Sequence, residues 1–281
     1  MDACVIGLAD ATVLGIVQGV TEFLPISSTA HLRIVPALTG SCDPGAAYSA
    51  VIQLGTLLAV LVYFAKDVLR ILGAFFSALP HPARFRGPGD ARLALAIALG
   101  TVPIGVCGLL FKKHIEGDAR SLYVIAASLI VVGLLMWFAE SRAKHTRGTA
   151  DLSFWDVQLI GLAQALALVP GVSRSGITLT AALFLAMRRD EAARFSFLLS
   201  IPAVTAAGIY ELKDVVASTQ LMGYGPVVVG TVVSFAVGIA TIHFLIRFLQ
   251  TRTTKLFVGY RVVMGAVLIG LCAAGVLRPL G

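Results

Sequence analysis

Apolar runs long enough to cross a bilayer dominate this chain and leave it few folds to choose from. Six stretches, about 46–65, 91–111, 121–138, 193–211, 225–248 and 257–277, approach or reach the ~20 apolar residues that span a hydrocarbon core. Lipid offers a peptide group no hydrogen-bond partner, so each run must satisfy its own backbone as a helix. The reading is an all-α polytopic membrane protein, with residues 1–281 forming a single integral membrane domain. Composition agrees: 58% of residues are hydrophobic and 13% charged, against the roughly 25% charged of soluble domains. A soluble chain of this length would need a charged surface that this one lacks.

Charge and cysteine content exclude further classes. The net charge is +7, but the basic residues sit at the ends of apolar runs, where they set membrane topology, so no nucleic-acid role follows. Cys4, Cys42, Cys107 and Cys272 form no CxxC pair and have no histidine nearby, which argues against a zinc site or a disulfide framework. Met1–Cys4 lacks a basic n-region, so no cleaved signal peptide is expected.

Two further apolar segments, 5–35 and 155–187, are broken near their centres by proline and polar clusters. The first carries Gly15, Gln18, Glu22, Pro25, Ser27, Ser28, Thr29 and His31. The second repeats the plan with Gly161, Gln164, Pro170, Ser173, Arg174, Ser175, Gly176 and Thr178. Such interrupted stretches predict re-entrant pairs of half-helices, tolerated at membrane depth only where they are buried in protein or face water.

The basic residues test this count. With six spans and two re-entrant pairs, four groups fall on one face: Lys66 to Arg86, Arg142 to Arg147, Arg188 to Arg194, and Arg247 to Lys255. The other face receives Lys112, Lys113, Arg120 and Lys213, diluted by Glu116, Asp118, Glu211 and Asp214. The first face is therefore cytoplasmic, with both termini outside. Three spans separate the two broken segments, so they enter from opposite sides as an inverted-topology repeat, about 5–138 and 155–277. The echo of Tyr48–Gln53 after the first motif in Phe195–Ser200 after the second supports it. Inverted repeats place their site near the midplane.

The polar residues form a coherent set. Gln18 and Glu22, four apart, share a helix face. Glycines flank Ser173-Arg174-Ser175, permitting tight turns and close backbone approach, and amides opening a half-helix can cradle an anion. Arg174 supplies a permanently charged fork suited to phosphate oxygens. One acidic side opposite suits a divalent cation bridging Glu22 and phosphate. Each residue also has a bland use: hydroxyls bond back to carbonyls, glutamines join helices, and Glu22 with Arg174 makes a buried ion pair. A secondary transporter or lipid-phosphate flippase could use the same anion site, although neither needs a nucleophile.

Gln18-x-x-x-Glu22-Phe-Leu-Pro-Ile-Ser-Ser-Thr-Ala-His31 and Pro170-Gly-Val-Ser-Arg-Ser-Gly176 resemble the two signatures of the undecaprenyl-diphosphatases of bacterial membranes, the bacitracin-resistance proteins. The resemblance covers essentially the whole chain. It implies hydrolysis of a C55 lipid diphosphate to its monophosphate, recycling the carrier for peptidoglycan and other envelope polymers. It implies an inner-membrane enzyme with its site open to the periplasm and a divalent cation, Mg²⁺ or Ca²⁺. Carried over residue by residue, Glu22, Ser28, His31 and Arg174 are catalytic, with Ser28 or water attacking and His31 as base. Ser27, Thr29, Ser173, Ser175, Gly176 and Thr178 bind substrate, and Glu22 with Gln18 holds the metal. Gln18 stands where the family often has Glu, and Ala30 where it often has Gly. The partners implied are a prenyl diphosphate lipid and the bilayer, with a homodimer left open.

Overall fold

The computed structural model describes residues 6–41, 45–87, 89–116, 121–210, 216 and 223–278, except the side chains of Ala46 and of residues 112–116. Among these residues there are eleven α-helices and no β-strand beyond an isolated Arg147–Met187 bridge. They are α1 (Leu8–Thr21), α2 (Ser28–Thr39), α3 (Gly45–Tyr63), α4 (Ala65–Ala78), α5 (Asp90–Glu116), α6 (Leu122–Arg142), α7 (Phe154–Ala165), α8 (Arg174–Phe184), α9 (Arg189–Tyr210), α10 (Tyr224–Thr251) and α11 (Lys255–Ala273). Five helices are long and apolar enough to cross a membrane by themselves, and six if α3 and α4 count as one bent span. All six predicted spans are found as helices, and both interrupted segments are broken helix pairs, α1/α2 and α7/α8.

One stretch departs from the sequence reading. Lys66 and Arg70 do not lie in a loop but on α4, which leaves α3 at 80° after a break at Phe64. The helix is amphipathic: Leu69, Leu72 and Phe76 are exposed on one side, while Lys66, Asp67 and Arg70 carry the other. Such a two-sided helix has the pattern of one suited to a membrane interface.

Ion pairs gather the basic groups at one end of the bundle. Arg189 pairs with Glu140, which also accepts from the Thr254 hydroxyl at 2.8 Å. Arg194 reaches Asp67 at 2.6 Å, Arg70 reaches Asp90 at 2.9 Å and Arg147 reaches Asp156 at 2.6 Å. These contacts bring together the starts of α4, α5, α7 and α9, the end of α6 and the α10–α11 turn. The opposing group from Lys112 to Asp118, with Arg120, Glu211, Lys213 and Asp214, lies outside the described side chains, and Cys4 and Cys42 lie outside the described residues.

The broken pairs are wedged against spans by glycine. A Cβ on Gly15 would stand 2.7 Å from the Gly230 carbonyl oxygen of α10, and one on Gly161 would stand 2.1 Å from that of Gly100 on α5. Both contacts are backbone against backbone, which only glycine allows. α1 begins beside the start of α10, where Leu8 approaches Gly225, while α7 begins beside the start of α5, where Arg92 donates to the Leu152 carbonyl at 3.2 Å. Because α10 ends at the charged end and α5 starts there, α1 and α7 enter the bundle from opposite ends. The core between them is apolar, built on Phe195, Phe197 and Leu199 of α9 with Met136 and Ile242.

Candidate active site

Both broken pairs reverse direction through the same unusual turn. Ser27 has φ 79° and ψ 105°, and Ser173 has φ 71° and ψ 117°, left-handed values that are costly away from glycine. Each serine hydroxyl caps the helix it opens: Ser27 accepts from the Ala30 amide at 3.4 Å, and Ser173 from the Gly176 amide at 3.1 Å. The turns leave Ser28 and Arg174 as the first residues of α2 and α8. Two helix N-termini, with their unpaired amides and positive dipole ends, thus converge on one place.

That place is Glu22, the residue after α1 and itself buried. Its Oε1 accepts from Arg174 Nη2 and from Gln53 Nε2 at 3.2 Å. Its Oε2 accepts from the Ser28 hydroxyl at 2.7 Å and from Gln18 Nε2 at 3.0 Å. Four donors from α1, α2, α3 and α8 therefore fill one carboxylate. The ion pair is mostly withdrawn from solvent, with side-chain exposures of 17% for Arg174 and 6% for Glu22. Low dielectric strengthens such a pair and makes the loss of either partner costly, about 3–5 kcal/mol. Among the polar motif residues, Ser28, Thr29 and Arg174 keep surface exposure, and they mark the opening.

A second buried cation fastens the two turns together. Arg261 of α11 is fully buried and donates to five carbonyl oxygens: Pro25, Ser128, Leu129, Gly171 and Val172, all at 3.0–3.2 Å. Pro25 belongs to the first turn, Gly171 and Val172 to the second. The Ser175 hydroxyl adds a direct tie to the Leu24 carbonyl at 3.2 Å.

The remaining predicted residues divide. His31 is buried, with Nδ1 2.7 Å from the Ser27 carbonyl oxygen and Nε2 2.5 Å from the Tyr260 hydroxyl. Ser28 is thus bonded to Glu22 and not to His31, so the expected serine–histidine pair is not formed here. Thr29 bonds Ser27 at 3.1 Å, and Ser175 bonds Ser173 at 3.2 Å. Gly176 makes room for Arg261, whose Nη1 would lie 3.3 Å from a Cβ there. Thr178 is fully buried, and its hydroxyl bonds the Arg174 carbonyl and the Ser196 hydroxyl, away from Glu22. Sequence reasoning passed over Gln53, Tyr260 and Arg261 as site residues. Arg261 and Gln53 had a signal, a charge and an amide inside apolar spans; Tyr260 had none in its local pattern.

The donor set can be tested against a divalent cation. Among the described residues no three of His, Cys, Asp and Glu lie close enough to hold a metal. The hard oxygens at hand are those of the Glu22 carboxylate, to which Gln18 and Gln53 turn their NH₂ groups. One carboxylate with substrate phosphates is an ordinary set for Mg²⁺, so the residues fit a cation shared with a diphosphate rather than a site of the protein alone.

Comparison with known proteins points the same way as this geometry. The chain is similar to an undecaprenyl-diphosphatase of Myxococcus xanthus, with 55% identity over 97% of this chain and 92% of the relative. It is similar to those of Gloeobacter violaceus, at 53% over 97% and 94%, and of a Nocardioides species, at 50% over 95% and 97%. With a sequence profile matching over residues 11–267, the chain belongs to the family described as bacitracin resistance protein BacA.

Proposed function

We propose that this protein hydrolyses undecaprenyl diphosphate to undecaprenyl phosphate and inorganic phosphate, recycling the lipid carrier for peptidoglycan and other envelope polymers. The observation that carries the reading is the meeting of Ser28, Glu22 and Arg174, drawn from two broken helix pairs, at a part-open point among apolar spans. Family membership and the relatives' names support it. The end of the bundle rich in basic residues is the cytoplasmic one, which leaves the site opening toward the periplasm of an inner membrane. The entry of α1 and α7 from opposite ends supports an inverted-topology repeat.

The arrangement accounts for phosphoryl transfer through positioning and charge. Arg174 and the amides opening α2 and α8 receive the diphosphate. As Arg174 turns from Glu22 to the phosphate, Glu22 is left to accept the Ser28 proton over their 2.7 Å bond. The Ser28 oxygen then bonds the terminal phosphorus while the bridging P–O bond to the prenyl phosphate breaks. Water next cleaves the phosphoserine with His31 as base, and Glu22 returns the proton to Ser28. A divalent cation, Mg²⁺ or Ca²⁺, held by Glu22 beside Gln18, would neutralise phosphate charge.

The test is phosphate release from undecaprenyl diphosphate by purified protein in detergent, with and without EDTA, beside Glu22→Gln and Arg174→Ala. Release that needs a divalent cation and is lost in both variants is expected. A folded wild type that releases none with Mg²⁺ or Ca²⁺ supplied overturns the reading.

A further inference from the structure

Tyr260 is absent from both sequence motifs, yet it makes the closest contact of any side chain to the histidine of the first motif. Its hydroxyl lies 2.5 Å from His31 Nε2, and the two rings stack at 5.6 Å with 18° between their planes. On the other side of the imidazole, Nδ1 lies 2.7 Å from the Ser27 carbonyl oxygen. A carbonyl only accepts, so Nδ1 carries the hydrogen. In the neutral ring Nε2 is then an acceptor, and it takes the Tyr260 O–H. The nitrogen needed as a base is therefore covered by a phenol, and nothing can reach it except through that phenol or by displacing it.

The phenol is well placed to pass a proton and poorly placed to move. The residue after it, Arg261, is pinned by carbonyls of both turns, Pro25 on one and Gly171 and Val172 on the other. That clamp fixes α11 in register with the site. Tyr260 nevertheless keeps 37% exposure, whereas His31 is 6% exposed. The hydroxyl oxygen retains a lone pair for a donor from outside. His31 also shares its α2 face with Ser28, three residues before it.

On the phosphatase reading above, we infer that Tyr260 relays the proton between the attacking water and His31. Hydrolysis consumes one water whichever oxygen attacks first. That water bonds phosphorus as the Ser28 O–P bond breaks and Ser28 recovers its proton from Glu22; the water gives its own proton to the Tyr260 oxygen, while the Tyr260 proton passes to His31 Nε2. The phenol is regenerated in the same step, the imidazole becomes protonated, and Ser27 holds its Nδ1–H throughout. Atoms and charge balance with no further reactant.

Tyr260→Phe keeps the ring and its stacking and deletes only the hydroxyl. With undecaprenyl diphosphate as substrate, kcat falls on the order of 10²-fold, the lower range for a lost acid–base group, with KM unchanged. His31→Ala combined with Tyr260→Phe is no slower than His31→Ala alone, because the relay is already cut. Wild-type kcat in Tyr260→Phe, or losses that multiply in the double variant, overturns the relay. A second measurement needs no variant: kcat of the wild type across H₂O–D₂O mixtures curves when two protons move together, and a straight line overturns the proposal. An inactive wild type would instead count against the phosphatase reading, so the two failures are distinguishable.

Discussion

The two broken helix pairs share a backbone and divide the chemistry. In both, a glycine presses against the carbonyl of a glycine on a spanning helix, a buried glutamine follows three residues later, and a serine at positive φ caps the outgoing helix. The side chains then diverge. The first pair supplies Glu22, Ser28 and His31, while the second supplies Arg174 where the first has Ser28, and apolar Ile177 where the first has His31. A repeated scaffold with one acidic and one basic half creates a polarity that two equal halves could not. Glu22 finds its opposite charge only across the halves, so the site exists only when both turns are in place.

The largest effect should come from breaking that division of labour. Removing Arg174 leaves Glu22 buried without its cation, and Arg174→Ala should lose about 3–5 kcal/mol of stability along with activity. Removing both charges, as Glu22→Gln with Arg174→Ala, should restore much of the stability and none of the activity. Detergent melting curves beside phosphate release would read this. A double variant as unstable as the single one would show that the pair is not what destabilises it.

The glycine contacts come next and separate the halves by distance. Gly161→Ala places a Cβ 2.1 Å from the Gly100 carbonyl oxygen, and Gly15→Ala places one 2.7 Å from that of Gly230. Neither neighbour is a flexible side chain, so both should cost about 1–3 kcal/mol, as overpacking does, with Gly161→Ala the worse. Melting temperatures in one detergent rank them, and the reverse order would mean that α5 yields more readily than α10.

Membrane class, spans and turns were legible because each rests on a local rule. Twenty apolar residues read as a span wherever they occur, and Glu22, His31 and Arg174 stand out against lipid-compatible neighbours. α4 was not legible as a helix, because Lys66, Asp67 and Arg70 look like the start of a loop until Leu69, Leu72 and Phe76 are seen to share the opposite side of one helix. Tyr260 hid for another reason. A tyrosine near the end of an apolar run is ordinary there, and only the packing of α11 onto α2 makes it a partner of His31. Thr178 shows the converse: its place in the motif suggests phosphate, whereas helix α9 turns its hydroxyl to Ser196.

The smallest prediction concerns the two glutamines, where the comparison is sharpest. Gln18 and Gln164 occupy the same place in their helices, and both are buried, at 1% and 0% exposure. Gln18 donates to Glu22 at 3.0 Å and to the Thr56 hydroxyl at 3.4 Å, but neither amide atom of Gln164 has a hydrogen-bond partner. A buried unpaired amide costs about 1–3 kcal/mol. Gln164→Met keeps length and sheds the polar atoms, so it should raise the melting temperature and leave phosphate release unchanged. Gln18→Met removes a donor from the Glu22 carboxylate and should lower activity without comparable stabilisation. If Gln164→Met instead destabilises, its amide is satisfied in the membrane by a bound water, and the second half retains a polar role that its neighbours do not show. If both variants behave alike, the matching positions have kept matching functions, and the division between the halves begins at Glu22 rather than one turn before it.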